Sequence, residues 1–185
     1  MEGPAGRPDT RPIPTGDPDT PPIDYGMLRD AIGYQLRLAE VAMLQTFARR
    51  FAGTGITPAR LTALELIDRN PGIRPATLAR AMVVETSNLS TLLRQLEAGG
   101  LIEARRGPDR RSKALHLTPR ARARMTGLRR RLSAQDRDLG QGLSADERES
   151  LTYLLGKLVG SDGRTDGTNE DRAETRRRIR SRTEP

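Results

Sequence analysis

Leu89, Leu92, Leu93 and Leu96 recur at the i, i+3, i+4, i+7 spacing, and the segment that carries them runs straight into Gly99-Gly100 and a basic stretch ending at Leu117. That spacing puts four leucines on one face of a helix, so the segment must lie on a core. The opposite face carries Ser87, Asn88, Ser90, Thr91 and Arg94. These are short hydrogen-bonding groups and one long cation, the side-chain types that meet base edges and phosphates. Beyond the glycine pair, Ile102 and Ala104 alternate with Glu103 and Arg105, and Leu115 and Leu117 flank His116. The alternation predicts two half-buried strands. Between them, Gly107 to Ser112 combines turn residues with Arg110 and Arg111, which predicts a charged hairpin tip.

Charge is concentrated where the helix and hairpin are. Residues 101–131 hold eleven Lys/Arg against Glu103 and Asp109, a net +9 in a chain whose total is +8. A local basic patch of this kind is the electrostatic footprint of a nucleic-acid binder. The thirty arginines against two lysines reflect a compositional bias, which explains the residue type and not the clustering. The chain has no cysteine, so disulfides, thiol redox sensing and Cys-ligated zinc are excluded. Its single histidine, His116, lacks the convergent ligands of a metal site and the paired nucleophile of a catalytic base, and is read as structural. With no phosphate-binding glycine loop and no paired-carboxylate motif, no enzyme and no cofactor are expected. No apolar run approaches the roughly 20 residues of a membrane span, and the first residues lack an apolar signal core. The expectation is a cytoplasmic protein without a membrane partner.

Taken in order, residues 1–23 are rich in Pro, Gly and Thr without period and read as a disordered tail. Leu28, Ile32, Leu36, Val41, Leu44, Phe47 and Phe51 keep helical period and predict one continuous helix over 24–52, longer than the common ~8 to 20 residues. A stripe that long needs a partner, and Tyr25, Tyr34, Phe47 and Phe51 are expected as core or dimer contacts. Thr57-Pro58 is a helix start, followed by Leu61, Leu64 and Ile67 and stopped by Asn70-Pro71-Gly72. A short helix over Pro75–Met82, the link Val83-Val84-Glu85 and the leucine helix then form a helix-turn-helix. Thr118-Pro119 opens a long helix along Ala121, Met125, Leu128, Leu132 and Leu139. Ser144 and Glu147 form a capping box ahead of Leu151, Leu154, Leu155, Leu158 and Val159. Residues 161–185, with Arg176, Arg177, Arg178, Arg180 and Arg182 clustered, read as a disordered basic tail.

Several segments carry a resemblance to a known family: LARAM at 78–82, the leucine helix, GGLIEARR at 99–106, PDRRSK at 108–113 and LHLTPRARA at 115–123. Over roughly residues 25–160 the chain resembles the MarR-type winged helix-turn-helix transcription regulators. Asp109 and Arg111 fall on the family's Asp-x-Arg of the wing. Thr91 and Arg94 stand where many members place an arginine and an acid, so base contacts and the operator sequence do not carry over.

The resemblance implies a mainly α fold with a small β-hairpin, in the order α-α-α-α-β-β-α-α. Within a domain over 24–160, it implies dimerisation helices over 24–52 and 119–160 and a DNA-binding part over 57–118. The partners implied are double-stranded DNA and a second copy of the chain, with a repressor's output. A small phenolic or other lipophilic effector is implied between the dimerising and reading regions. In this reading Arg111 enters the minor groove, where a narrow groove strengthens the negative potential, and Asp109 orients its guanidinium. Arg105, Arg106, Arg110 and Lys113 are candidate phosphate neighbours, which fix register and carry no code, and Arg74 is a further candidate DNA contact. The rival reading is an architectural protein that coats duplex DNA without regard to sequence. Low aromatic content argues against base stacking on single strands.

Overall fold

The computed structural model describes residues 23–106 and 113–160. They form a short 3-10 helix, Gly26–Arg29, then α1 (Ile32–Arg50), α2 (Pro58–Arg69), α3 (Pro75–Met82) and α4 (Thr86–Ala98). After these come strands β1 (Ile102–Arg106) and β2 (Lys113–Leu117), α5 (Pro119–Leu139) and α6 (Ala145–Leu158). Both terminal tails and the hairpin tip with Asp109, Arg110 and Arg111 lie outside the described residues. The chain divides into two compact units, Met1–Val41 and Ala42–Pro185, the boundary falling within α1.

In the first unit the continuous helix expected over 24–52 is broken. Asp24 Oδ1 accepts the Gly26 N–H at 2.8 Å, and Gly26 sits at φ +47°. The turn closes with short-range bonds, Leu28 N–H to Tyr25 O at 2.9 Å and Ala31 N–H to Leu28 O at 3.2 Å, before α1 begins. The apolar rhythm runs on regardless, because Leu28 and Ile32 keep helical spacing across the break. Tyr25 and Tyr34 contact each other with ring centroids 6.0 Å apart, rather than entering a core. No described residue of this unit is buried.

The second unit holds the hydrophobic core. Phe47 and Phe51, one helical turn apart, stack at 4.0 Å with near-parallel rings and are both buried. Helix α2 starts where the Thr57 hydroxyl accepts the Arg60 N–H at 3.3 Å, with Pro58 at the first position. It buries Leu61, Leu64 and Ile67, and α3 adds Leu78. Helix α4 seats Leu89, Leu93 and Leu96 in the core while Leu92 is partly buried. Burying each leucine stabilises by about 1.5–3 kcal/mol, which is what fixes the direction of the opposite face.

The two strands pair antiparallel with Ile102 opposite Leu117, Ala104 opposite Leu115 and Arg106 opposite Lys113. Ala104, expected on the half-buried side, is exposed, because β1 leaves the core after Ile102. Strand β2 also pairs on its other edge with Ile73, a bridge the alternation did not reveal. There the Gly72 N–H donates to Leu115 O at 2.8 Å. Gly72 has φ +85°, and a Cβ at that position would sit 3.7 Å from the His116 ring. The His116 ring therefore lies on the side of the hairpin that meets the α2–α3 link.

Thr118 Oγ1 accepts the Ala121 N–H at 3.2 Å and donates to Gly100 O at 2.8 Å, so one hydroxyl starts α5 and holds the end of α4. Helix α5 buries Ala121, Met125 and Leu128. Arg129 clamps it to α2, donating from Nε to Glu65 Oε2 at 2.9 Å and from an Nη to Asp68 Oδ2 at 2.6 Å. Burial raises the Glu65 pKa, but hydrogen bonds from Arg129 and Arg69 outweigh it and leave the carboxyl below its ordinary value. At the far end of α5, Asp138 receives two 2.6 Å bonds from Arg50, which lower its pKa. Helix α6 carries the expected capping box of Ser144 and Glu147, yet none of its residues is buried.

Candidate nucleic-acid interface

The sequence-predicted residues fall into groups. Ser87, Asn88, Ser90, Thr91 and Arg94 are all exposed along one face of α4, backed by the buried leucines. Within that face Ser90 donates to Thr86 O at 2.8 Å, and Arg94 donates to Thr91 Oγ1 at 3.1 Å. The guanidinium is therefore held over the middle of the helix. Helix α4 is kept in place from outside the core as well. Arg60 donates to Gly55 O at 2.8 Å and to Gln95 Oε1 at 3.1 Å, tying the start of α2 to α4. Arg60 was not among the expected residues, since its partner lies 35 positions away.

Arg106 and Lys113 are opposite one another and exposed at the loop end of the hairpin. They carry two cations to the base of segment 107–112, which contains Asp109, Arg110 and Arg111. Arg105 differs. Its guanidinium is paired with Glu103 on the same strand face, one bond being 3.0 Å from Nε. Arg74 is separate again, exposed at the N-cap of α3 rather than on α4 or the hairpin.

A half-open cavity of about 420 Å³ lies where the hairpin meets the start of α5, lined by Arg105, His116, Leu117, Pro119, Arg122 and Ala123. Its two guanidiniums already face acids, Arg105 on Glu103 and Arg122 3.7 Å from Asp68. This leaves little unbalanced positive charge for an anion. Among the described residues no cluster of His, Cys, Asp or Glu is arranged to hold a metal, and no helix is long and apolar enough to cross a membrane.

Helices α3 and α4 joined by a three-residue turn, followed by an antiparallel hairpin whose loop end is basic, define a winged helix-turn-helix protein of the transcription-regulator class. The MarR family model matches residues 54–112. A candidate transcriptional regulatory protein for the hcr operon of Thauera aromatica is 35% identical over 143 residues, covering 76% of this chain and 86% of that protein. The transcriptional repressor CouR, bound to a 23-mer DNA duplex, superposes with a TM-score of 0.71 at 29% identity, covering 75% of this chain and 99% of that one. CouR bound to p-coumaroyl-CoA superposes at 0.69 with 27% identity, covering 75% of this chain and 98% of that one. The chain belongs to the MarR family of transcriptional regulators.

Proposed function

We propose that the protein is a homodimeric repressor that binds a pseudo-palindromic operator and is released by a small aromatic effector. The observation that carries the DNA-reading part is the exposed polar face of α4, backed by the buried Leu89, Leu93 and Leu96, together with the exposed cations Arg106 and Lys113 at the loop end of the hairpin. In this reading α4 enters the major groove, with Ser87, Asn88, Ser90, Thr91 and Arg94 available to base edges. Arg74, Arg106, Arg110 and Lys113 contact phosphates, and Arg105 joins them only by leaving Glu103. Arg111 enters the minor groove with Asp109 orienting it, an assignment that rests on the wing motif.

A second copy of the chain is supported by the state of α6. Leu151, Leu154, Leu155 and Leu158 on α6, with Val159 at its C-cap, are 39–76% exposed on a helix that is otherwise capped and complete. A complete amphipathic helix whose apolar side is uncovered gains from pairing. The dimerising regions are accordingly proposed as 24–52 and 119–160, and the DNA-binding part as 57–118. The effector class follows the relatives, one of which binds p-coumaroyl-CoA and another, at 26% identity, salicylic acid. Gln135 Oε1 is buried without a hydrogen-bond partner, an acceptor suited to a phenolic hydroxyl or carboxylic acid.

The test combines light scattering with footprinting on genomic fragments. A dimer at micromolar concentration and protected inverted repeats with half-site centres about 10 bp apart are expected. A stable monomer, or protection spread evenly over every duplex as an architectural coating protein would give, would contradict the proposal.

A further inference from the structure

Helix α3 ends as α4 does, but with a different kind of residue at the critical position. In both, a backbone N–H just past the helix reaches back to close the last turn: Val84 to Ala79 O at 3.1 Å, and Leu101 to Leu96 O at 2.9 Å. A second bond lies inside each, Val83 N–H to Arg80 O at 3.3 Å and Gly100 N–H to Glu97 O at 2.9 Å. This closure needs one left-handed residue, normally glycine. At the end of α4 it is Gly100, with φ +63°. At the end of α3 it is Val83, with φ +54° and ψ +46°. Among the described residues Val83 is the only non-glycine with positive φ. A β-branched side chain is among the least suited to that region.

Among the described residues nothing offsets the strain. Val83 is 88% exposed and lies outside the core cluster, so its isopropyl group adds no packing that glycine would forfeit. Its position is informative: it stands three residues before Thr86, at the entrance to α4, and the N-terminal residues of a reading helix are those that approach base edges. Local strain left in place at the rim of a binding surface points to a use in binding.

Resting on the reading of α4 as the reading helix, we propose that Val83 is a specificity-determining residue whose isopropyl group lies against the 5-methyl group of a thymine at the edge of each half-site. In the major groove only thymine presents a methyl. Valine offers an apolar, branched surface with no hydrogen-bonding group, so it distinguishes thymine by excluding water from that methyl. The polar residues of α4 cannot make that distinction as directly.

The experiment selects duplexes from a random pool with the wild-type protein and with Val83→Gly. Both proteins are then titrated against the recovered duplex and against the same duplex carrying deoxyuridine at the enriched thymines. Wild type should enrich one thymine per half-site beside the bases read by α4. It should lose about fourfold in affinity for each methyl removed, the equivalent of one buried methyl group. Val83→Gly should show no preference at that position, bind the thymine duplex about fourfold more weakly per contact, and be indifferent to deoxyuridine. Its melting temperature should hold or rise, because glycine adopts the left-handed region freely. The same enriched sequence and the same deoxyuridine penalty in Val83→Gly would overturn the inference, as would a marked fall in its melting temperature, which would make the side chain structural. If wild type itself enriches no sequence, the reading of α4 as a sequence reader has failed, and the inference fails with it.

Discussion

Alanine at both Asn88 and Arg94 should lower affinity for the selected operator by on the order of a hundredfold while leaving the fold intact. Each side chain lies on the exposed face of α4, and neither belongs to the core. Surface substitutions of this kind change stability by no more than about 0.5 kcal/mol. A good bidentate contact to a base discriminates by about 1–3 kcal/mol, and Asn and Arg are the side chains suited to adenine and guanine. Two such losses, reduced somewhat for sharing one helix, give the expected factor. Affinity for a random duplex should fall much less, since Asn88 carries no charge and Arg94 contributes at most one phosphate contact. Fluorescence anisotropy on both duplexes separates the cases. Equal losses on the two would mean that this face holds the backbone and does not read bases.

Leu96→Ala should act through the fold instead. Leu96 is fully buried in the core, and its carbonyl also accepts the Leu101 N–H that closes α4. Truncating a leucine at such a site costs about 2–5 kcal/mol, a large share of the roughly 5–15 kcal/mol that holds a domain together. Denaturant unfolding at fixed protein concentration should show that loss, and Leu92→Ala, at a partly buried position, should lose clearly less. A Leu96→Ala protein as stable as wild type would mean that α4 is not seated on the core as described.

What could be read in the sequence was local. The starts of α2, α5 and α6 were legible because Thr57-Pro58, Thr118-Pro119 and Ser144 with Glu147 each cap their own helix within three residues. The two faces of α4 were legible because helical spacing assigns every residue a side. The broken first helix was not, since apolar spacing continues through the turn that Asp24 and Gly26 make. Nor was the clamp of Arg129 on Glu65 and Asp68, whose partners are 64 and 61 residues away and leave no local trace. The pairing of Ile73 with Leu115 was hidden because a one-residue bridge has no alternation to detect.

At the candidate site, the residues of α4 followed from periodicity, whereas the engagement of Arg105 depends on Glu103 sharing its strand face. That spacing was available in the sequence, but which cation wins the acid is decided by packing. Val83 looked like an ordinary link residue. Its cost exists only in the backbone angle.

We expect this chain to read sequence through α4 rather than merely adhere to DNA through its basic patch. The ratio of dissociation constants for the selected duplex and a random duplex of equal length, measured in one buffer at physiological salt, tests it most directly. Specific regulators favour their site by about a thousandfold or more, and a ratio of that order is expected here. A ratio near one, with both affinities falling equally as salt is raised, would mean that the protein coats duplex DNA without reading it.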